Sequence, residues 1–199
     1  MFFFRCPADA VIRQILADQE KLPLSYPEVG LTREGKAPAG YVVDHNRIAL
    51  GQGEAVFTLA CQALRSWHMF HLSWVRLYWP TAPLETGTVV GVGAAHFGFW
   101  SLNPCRIVYV LDEQGASPRY GFGYGTLPGH GERGEERFVI EWDRRYDAVT
   151  YDIFAFSKPN HILAQLGYPI VRQLQQCFAR ESKTAMLSAV RRNQTHVPF

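Results

Sequence analysis

The feature that most limits the fold of this chain is a helical pattern close to its C-terminal end. An apolar stretch begins at Tyr151, a Ser157-Lys158-Pro159 break follows, and apolar residues then recur at three- and four-residue steps as far as Val190. This spacing winds a mostly apolar stripe along one side of a helix. The stripe consists of Leu163, Leu166, Ile170, Leu174, Cys177, Phe178, Glu181 and Ala185. Other elements must cover a stripe of this kind for the helix to be stable.

The middle of the chain carries a series of strand patterns that could cover this stripe. Apolar and aromatic runs recur about every ten residues and are separated by turn signals, among them Asn103-Pro104. Connections this short join antiparallel strands, because a parallel pair needs a crossover of about a dozen residues or more. The predicted strands are a bent strand over 41–50, Met69–Trp79, Thr88–Phe97, Cys105–Asp112, Tyr120–Thr126, Glu135–Trp142 and Val149–Phe156.

Two shorter helices are predicted before most of these strands. Pro7–Gln19 and Glu54–Trp67 both place apolar residues at helical spacing, and the intervening Lys21–Gly40 is rich in proline and glycine, which predicts an irregular connection. The expected fold is α+β, with a curved antiparallel sheet of about seven strands wrapped around the long C-terminal helix. We expect one domain over residues 1–192, a tail over 193–199, and a cavity between sheet and helix.

Composition narrows the classes of partner. The formal net charge of +2 is too small to attract the phosphate backbone of nucleic acid strongly, and basic residues cluster only in short pairs such as Arg144-Arg145. Aromatic residues make up 14% of the chain and charged residues 19%, so the chain is richer in rings and poorer in charge than an average soluble domain. We therefore expect an aromatic core, cavity or interface, and no binding of nucleic acid.

Cysteine spacing and hydropathy predict the state of the thiols and the cellular compartment of the protein. Cys6, Cys61, Cys105 and Cys177 lie far apart and form neither a C-x-x-C motif nor a Cys/His spacing, so we expect free thiols and no metal site or cofactor. The start of the chain has only Met1 and three phenylalanines before Arg5, unlike a signal peptide. No run approaches the roughly 18 apolar residues of a membrane span. The predicted location is the cytoplasm.

An unusual alternation of rings and glycines occupies one predicted strand. Tyr120, Phe122, Tyr124 and Thr126 face one way, and Gly121, Gly123 and Gly125 face the other. A face made of glycines leaves the backbone open to close approach. The approaching group is either another part of the protein or a ligand.

The connection after this strand, 127–136, contains His130 and several carboxylates. A histidine beside carboxylates suits acid/base chemistry, and the alternative is a solvated, charged hairpin tip. Glu136 differs from the others, because the two-residue period that turns Phe138 inward turns Glu136 inward too. An inward carboxylate needs a partner. Arg106 is the first candidate and Arg172 the second, and such a pair is either structural or catalytic.

Two further patterns lie between residues 67 and 79. His68 and His71 are three residues apart, which on a strand points them to opposite faces and argues against a metal site. The predicted strand Met69–Trp79 is apolar on both faces. Because exposed apolar patches mark contacts, this strand is a candidate edge or face for a homodimer.

Several blocks of the sequence resemble a known family. The run from Gly121 to His130, continued by Glu132 and by 134–138, resembles the GFxYGTLPGHxExGEERF signature of an uncharacterised family of bacteria and plants, a domain of unknown function. The blocks 51–57, 105–109 and 155–159 resemble its other conserved segments. The order of elements is also similar to the helix-grip fold of START proteins, the birch-pollen allergen and polyketide cyclases. This resemblance implies an apolar ligand and assigns no catalytic residue.

These observations lead to a first hypothesis and two alternatives. The first is a small-molecule binding or carrier protein with an internal cavity for an apolar or aromatic ligand. The candidate ligand-binding residues are Arg106, Tyr120, Phe122, Tyr124, Glu136 and Arg172. One alternative is an acid/base enzyme with Glu136 or His130 as base and Arg106 stabilising negative charge. The other is a non-catalytic interaction scaffold.

Overall fold

The computed structural model describes residues 1–96, 98–160 and 167–194. Over these residues it contains eight strands and three α-helices, with short 3-10 helices at Leu31–Glu34 and His68–Phe70. The strands are β1 (Phe2–Phe3), β2 (Val42–Gln52), β3 (Val75–Tyr78), β4 (Val89–His96), β5 (Phe99–Glu113), β6 (Arg119–Thr126), β7 (Glu132–Asp143) and β8 (Ala148–Pro159). The helices are α1 (Asp9–Glu20), α2 (Gly53–Arg65) and α3 (Tyr168–Gln194).

Seven of the strands form a continuous antiparallel sheet in the order β2-β8-β7-β6-β5-β4-β3, and β1 pairs with the start of β5. One face of the sheet packs on α2 and α3, and we call it the inner face. The main core lies between them and includes Trp67, Phe122, Phe138, Tyr151 and Met186. The predicted α+β architecture, a sheet of about seven strands wrapped on a long C-terminal helix, is confirmed.

The long helix is confirmed, but its buried side differs from the predicted stripe. Leu163 and Leu166 lie outside the described residues, and Ile170 is largely exposed. The buried positions are Ala179, Ser182, Met186, Ala189 and Val190. Ser182 was not part of the predicted stripe, yet its Oγ lies 3.0 Å from the Tyr151 hydroxyl in the core. A hydrogen bond of this kind makes a buried serine compatible with an apolar helix face.

Two local predictions were wrong. Met69–Trp79 is not one strand, because Trp67 adopts a left-handed backbone (φ 56°), a 3-10 helix follows, and only Val75–Tyr78 joins the sheet. Asn103-Pro104 is not a turn, because both residues lie inside β5. Pro104 is tolerated there because β5 pairs with β1 up to Ser101 and with β6 from Cys105 onward, so the missing N–H falls between the two partners.

The outer face of the sheet is covered by the irregular segment between α1 and β2. Its Tyr26 ring lies over Gly125, where an added Cβ would come within 2.8 Å of Cε1. The Tyr109 ring of β5 lies over Gly123 in the same way, with its hydroxyl 2.7 Å from such a Cβ. The packing interpretation of these glycines is therefore confirmed. Glycine is required because these rings occupy the space of a side chain.

Glu135 fastens this covering segment to β7. It is 2% exposed, and its Oε2 accepts hydrogen bonds from the Tyr26 hydroxyl at 2.6 Å and the Gly30 amide at 2.7 Å. Its Oε1 accepts from the Thr32 amide at 2.9 Å and from the Thr32 hydroxyl. Hydrogen bonds to a charged acceptor are stronger than neutral ones, so this carboxylate holds the loop against the sheet.

Candidate functional site

A cavity of about 630 Å³ lies between the inner face of the sheet and the first half of α3. It forms there because the buried residues of α3 begin only at Ala179, and the helix fills the core beyond that point. Most of the cavity lining is apolar, a typical property of small-molecule sites. Its large apolar residues include Phe70, Trp74, Val92, Ile153, Val171, Leu174 and Phe178.

Glu136 and Tyr124 lie side by side in the cavity wall. They are directly opposed in the β6–β7 ladder, and the Tyr124 hydroxyl donates a 2.6 Å hydrogen bond to Oε2 of Glu136. The pKa of Glu136 is raised to about 7, mainly by burial, and the nearby carboxyls of Asp44 and Glu132 contribute to this rise. The Tyr124 hydrogen bond acts in the opposite direction. A carboxyl in this state can gain or lose a proton near neutral pH.

A polar network beside the cavity links α3 to three strands. The Arg172 guanidinium forms a two-pronged ion pair with Asp44 of β2, at 2.5 and 2.7 Å, and donates a 2.7 Å hydrogen bond to Oε1 of Gln175. The Gln175 amide in turn donates to Oε2 of Glu132 in β7 and, at 3.2 Å, to Oγ of Ser157 in β8. This network fixes the start of the described part of α3 against the sheet.

Glu132 is the most deeply buried member of that network. It is 7% exposed, and its Oε1 has no hydrogen-bond partner within the described part of the chain. Burial raises the pKa of Glu132, while the neighbouring Ser157 hydroxyl and the charge of Arg172 act to lower it. A buried carboxylate oxygen without a donor is uncommon in folded proteins. It is therefore a candidate contact for a ligand.

His130 lines the cavity and stays neutral. Its Nδ1 accepts a 2.9 Å hydrogen bond from the Glu132 amide, which leaves the ring proton on Nε2. Burial lowers the pKa of His130 to about 3, with a further contribution from the nearby Met1 ammonium. The interpretation of residues 127–136 as a solvated, charged tip was wrong, because Glu132 and Glu135 are buried and Glu132 begins a long strand. His130 has too low a pKa to act as a base at neutral pH.

Arg106 does not pair with Glu136. A β-bulge between Ile107 and Tyr109 interrupts the alternation of β5, so Arg106 faces outward even though Val110 faces the core. Its guanidinium donates hydrogen bonds to the backbone oxygens of Glu20 and Leu22, at 2.5 and 3.0 Å. The predicted ion pair was wrong because the extra residue of a bulge reverses which side chains share a face.

The other candidate residues occupy three different environments. Tyr124 and Glu136 line the cavity. Tyr120 and Phe122 share their sheet face but are buried in the core, where Phe122 contacts Trp67 at a ring distance of 5.1 Å. Arg172 bonds to the cavity residues Asp44 and Gln175 rather than to Glu136. The contribution of these six residues to ligand binding stays a prediction.

Sequence reasoning missed Asp44 and Glu132 as cavity residues. Alternate residues of a strand share a face, so the inward face of Phe138 and Glu136 also includes Gly134 and Glu132. The sequence therefore contained the information that Glu132 faces inward. It was missed because the predicted strand began at Glu135, whereas β7 begins at Glu132. Asp44 gave no local signal, since its partner Arg172 lies 128 positions away.

Metal binding finds no support in the described ranges, 1–96, 98–160 and 167–194, where no three His, Cys, Asp or Glu side chains are grouped to hold an ion. His68 and His71 do come together, with ring centroids 4.4 Å apart, because they lie in and after a 3-10 helix and not on a strand. No helix in the part of the chain that the structure describes is long and apolar enough to cross a membrane.

Comparison with known protein families shows to which family the chain belongs. Residues 25–185 match the family described as a domain of unknown function, DUF1990. The chain belongs to the DUF1990 family. The predicted resemblance to an uncharacterised family is thereby confirmed. Three relatives, all called UPF0548 protein, come from Dictyostelium discoideum, Arabidopsis thaliana and Deinococcus radiodurans and are 38%, 38% and 36% identical. The matches cover 98%, 76% and 95% of this chain, and 98%, 74% and 98% of the respective relatives.

Solved structures with a similar arrangement include Ara h 8.0201 and human STARD10. Ara h 8.0201 is 13% identical, with a TM-score of 0.47 over 75% of this DUF1990 chain and 99% of its own. STARD10 is 12% identical, with a TM-score of 0.44 over 96% of this chain and 84% of its own.

Proposed function

We propose that this protein binds an apolar small molecule in the cavity between the sheet and α3, and carries or presents it in the cytoplasm. The observation that supports this most is the cavity itself, about 630 Å³ in volume and lined mainly by apolar side chains. Volumes of roughly 300–1,000 Å³ are usual for small-molecule sites. A few convergent polar groups, Tyr124, Glu132 and Glu136, would orient the guest.

The first test is native mass spectrometry of freshly purified protein compared with its denatured mass. We expect a reproducible adduct of low molecular mass, and thermal stabilisation by apolar compounds, because a ligand that binds only the folded state raises its stability. An unmodified mass together with no thermal shift across lipid and aromatic compounds would contradict the proposal.

A cavity-filling variant tests whether binding occurs in this cavity. Ala155 lines the cavity on β8, so Ala155→Phe should block binding. Val43 is 48% exposed and lies opposite Phe156 on the outer face, so Val43→Phe adds the same ring elsewhere. We expect loss of the adduct in the first variant only. Equal adducts in both would place the ligand elsewhere.

Acid/base catalysis in the same cavity is a second candidate, favoured by the position of Glu136. Its carboxyl has a pKa of about 7 and contacts a tyrosine hydroxyl, which suits a general base. The test follows the mass of the bound compound over time in the wild type and in Glu136→Gln. A mass change that requires Glu136 indicates an enzyme, and an unchanged compound supports a carrier.

The scaffold alternative loses much of its support. The large residues Met69, Phe70 and Tyr78 are buried within the protein and are not available for a partner. A homodimer that uses the edge of β3 stays a prediction, and sizing chromatography with light scattering tests it.

A further inference from the structure

The cavity contains an unusual surplus of carboxyl groups. Asp44, Ala155 and Glu136 lie side by side on three neighbouring strands, with Asp44 and Glu136 both paired to Ala155. Because neighbouring strands are about 4.8 Å apart, the two acidic residues flank a small methyl group and leave space above it. Glu132 faces the same cavity two inward positions away from Glu136.

Positive charge does not balance these groups. Among the described residues that line the cavity there is no Lys or Arg, and His130 is neutral. Arg172 reaches the network, but both prongs of its guanidinium bind Asp44. Glu132 and Glu136 therefore have no cation of their own within the described chain. Buried carboxylates are costly without a counter-charge or donors.

One oxygen of Glu132 has no hydrogen-bond donor, and this indicates which kind of ligand group would bind near the carboxyls. Glu132 is 93% buried, since 7% of its surface is exposed, and its Oε1 has no hydrogen-bond donor among the described residues while the side chain lines the cavity. Its other oxygen is held by Gln175, so the carboxylate is fixed in place. A group that fills this position must be a hydrogen-bond donor, and a positive charge on it would offset the acidic surplus.

We propose that the ligand is an amphiphile with an apolar body and a protonated primary amine, and that the ammonium group donates a hydrogen bond to Oε1 of Glu132, with the negative charge of Glu136 on the same cavity wall adding to the attraction. This inference rests on the proposed function. An ammonium group is compact, carries three donors and is positively charged, which suits an unpartnered oxygen in an acidic cavity better than a hydroxyl does. Compounds with a carboxylate head, such as fatty acids, would be repelled by the same groups.

Three probes of equal chain length test the head group: decylamine, decanol and decanoate. Calorimetric titration into the intact protein at about pH 8, where the amine is protonated, compares them under one condition. We expect decylamine to bind at least about tenfold more tightly than decanol, the factor expected for one charge-assisted hydrogen bond, and decanoate to bind most weakly.

Matched variants locate the interaction. Glu132→Gln should weaken decylamine binding about tenfold and leave decanol binding within about twofold, since only the charged head loses its partner. Glu141→Gln is the control, because Glu141 is on the same strand but bonds Arg47 on the outer face. Glu136→Gln provides a second inner variant if Glu132→Gln folds poorly.

The outcomes separate the two proposals. Decanol or decanoate binding as tightly as decylamine would overturn the amine and keep an apolar ligand. Decylamine binding that is equally weakened by Glu141→Gln would reflect general surface charge and would also overturn it. No binding of any of the three, together with no adduct in native mass spectrometry, would overturn the proposed function itself.

Discussion

The Tyr124 hydroxyl lies 2.6 Å from Oε2 of Glu136 and donates a hydrogen bond to it from the neighbouring strand. The two side chains share the cavity wall, where burial raises the pKa of Glu136 to about 7 and the Tyr124 bond restrains that rise. The protonation state of the cavity therefore depends on a contact between two side chains, and this contact can be removed by deleting one oxygen atom.

Tyr124→Phe should raise the pKa of Glu136 above about 7, because the hydrogen bond that favours the ionised carboxylate is lost. Carbon-detected NMR of labelled glutamate side chains, followed across a pH titration, measures this value directly. Tyr151→Phe is the control, since the Tyr151 hydroxyl is 3.0 Å from Ser182 and does not bond Glu136. A lower pKa in Tyr124→Phe would contradict the assigned role of the bond.

Glu136→Gln should change how stability depends on pH. The pKa of Glu136 is raised from 4.5 to about 7 on folding, so the wild type loses stability as the pH rises from below 4.5 to above 7. At 1.36 kcal/mol for each pH unit, the loss amounts to about 3 kcal/mol. The variant lacks this contribution, so it should be the more stable protein above pH 7 and equal to the wild type below pH 4.5. Urea unfolding across this range measures the difference, and parallel curves would refute the prediction.

Glu135→Gln should be strongly destabilising. The amide that replaces one oxygen would face donors that now bind the carboxylate, among them the amides of Gly30 and Thr32. Leaving such buried donors unpaired costs about 3 kcal/mol. Urea unfolding should show this loss, and hydrogen exchange should show faster exchange at Gly30 and Thr32. Glu141→Gln, at a half-buried carboxylate on the same strand that pairs with Arg47, should change stability by less than about 1 kcal/mol. Equal effects in the two variants would refute the role of Glu135.

Gly123→Ala should destabilise the protein by about 2 kcal/mol, because the added methyl group overlaps the Tyr109 ring. Most of this loss should disappear when Tyr109 is also replaced by alanine, since the obstructing ring is then absent. A double-mutant cycle measured by urea unfolding gives the coupling between the two positions. Additive losses would indicate that the methyl group meets another part of the structure.

Much of the fold was predictable because it follows from local periodicity. The helices and the β6 alternation have clear periods, and short connections require antiparallel neighbours. What failed depends on backbone conformations with no local signature. Trp67 in a left-handed conformation ends the helix and starts a 3-10 turn instead of a strand, and Pro104 is tolerated inside β5 because of strand partners distant in sequence.

The candidate site was predictable only where it lies within one regular strand. Tyr124 and Glu136 followed from two-residue alternation, and both line the cavity. The Asp44–Arg172 ion pair joins β2 to α3, and no local sequence pattern predicts a contact between residues 128 positions apart. Arg106 was assigned to the wrong face because a bulge cannot be recognised by counting residues.

The bulge in β5 divides that strand into two parts in which the alternation of side chains is opposite. In the first part, odd-numbered residues such as Cys105 and Ile107 face the core, and in the second part, even-numbered residues such as Val110 do. Val108 is the extra residue between the two parts, so deleting it would leave one continuous alternation in which Ile107 still faces the core and Tyr109 still lies over Gly123. Arg106 would stay on the outer face. Deleting a residue from a regular stretch of β5 would instead move the side chains beyond it to the opposite face of the sheet, so the bulge is the one place in this strand where the loss of a residue leaves both faces unchanged.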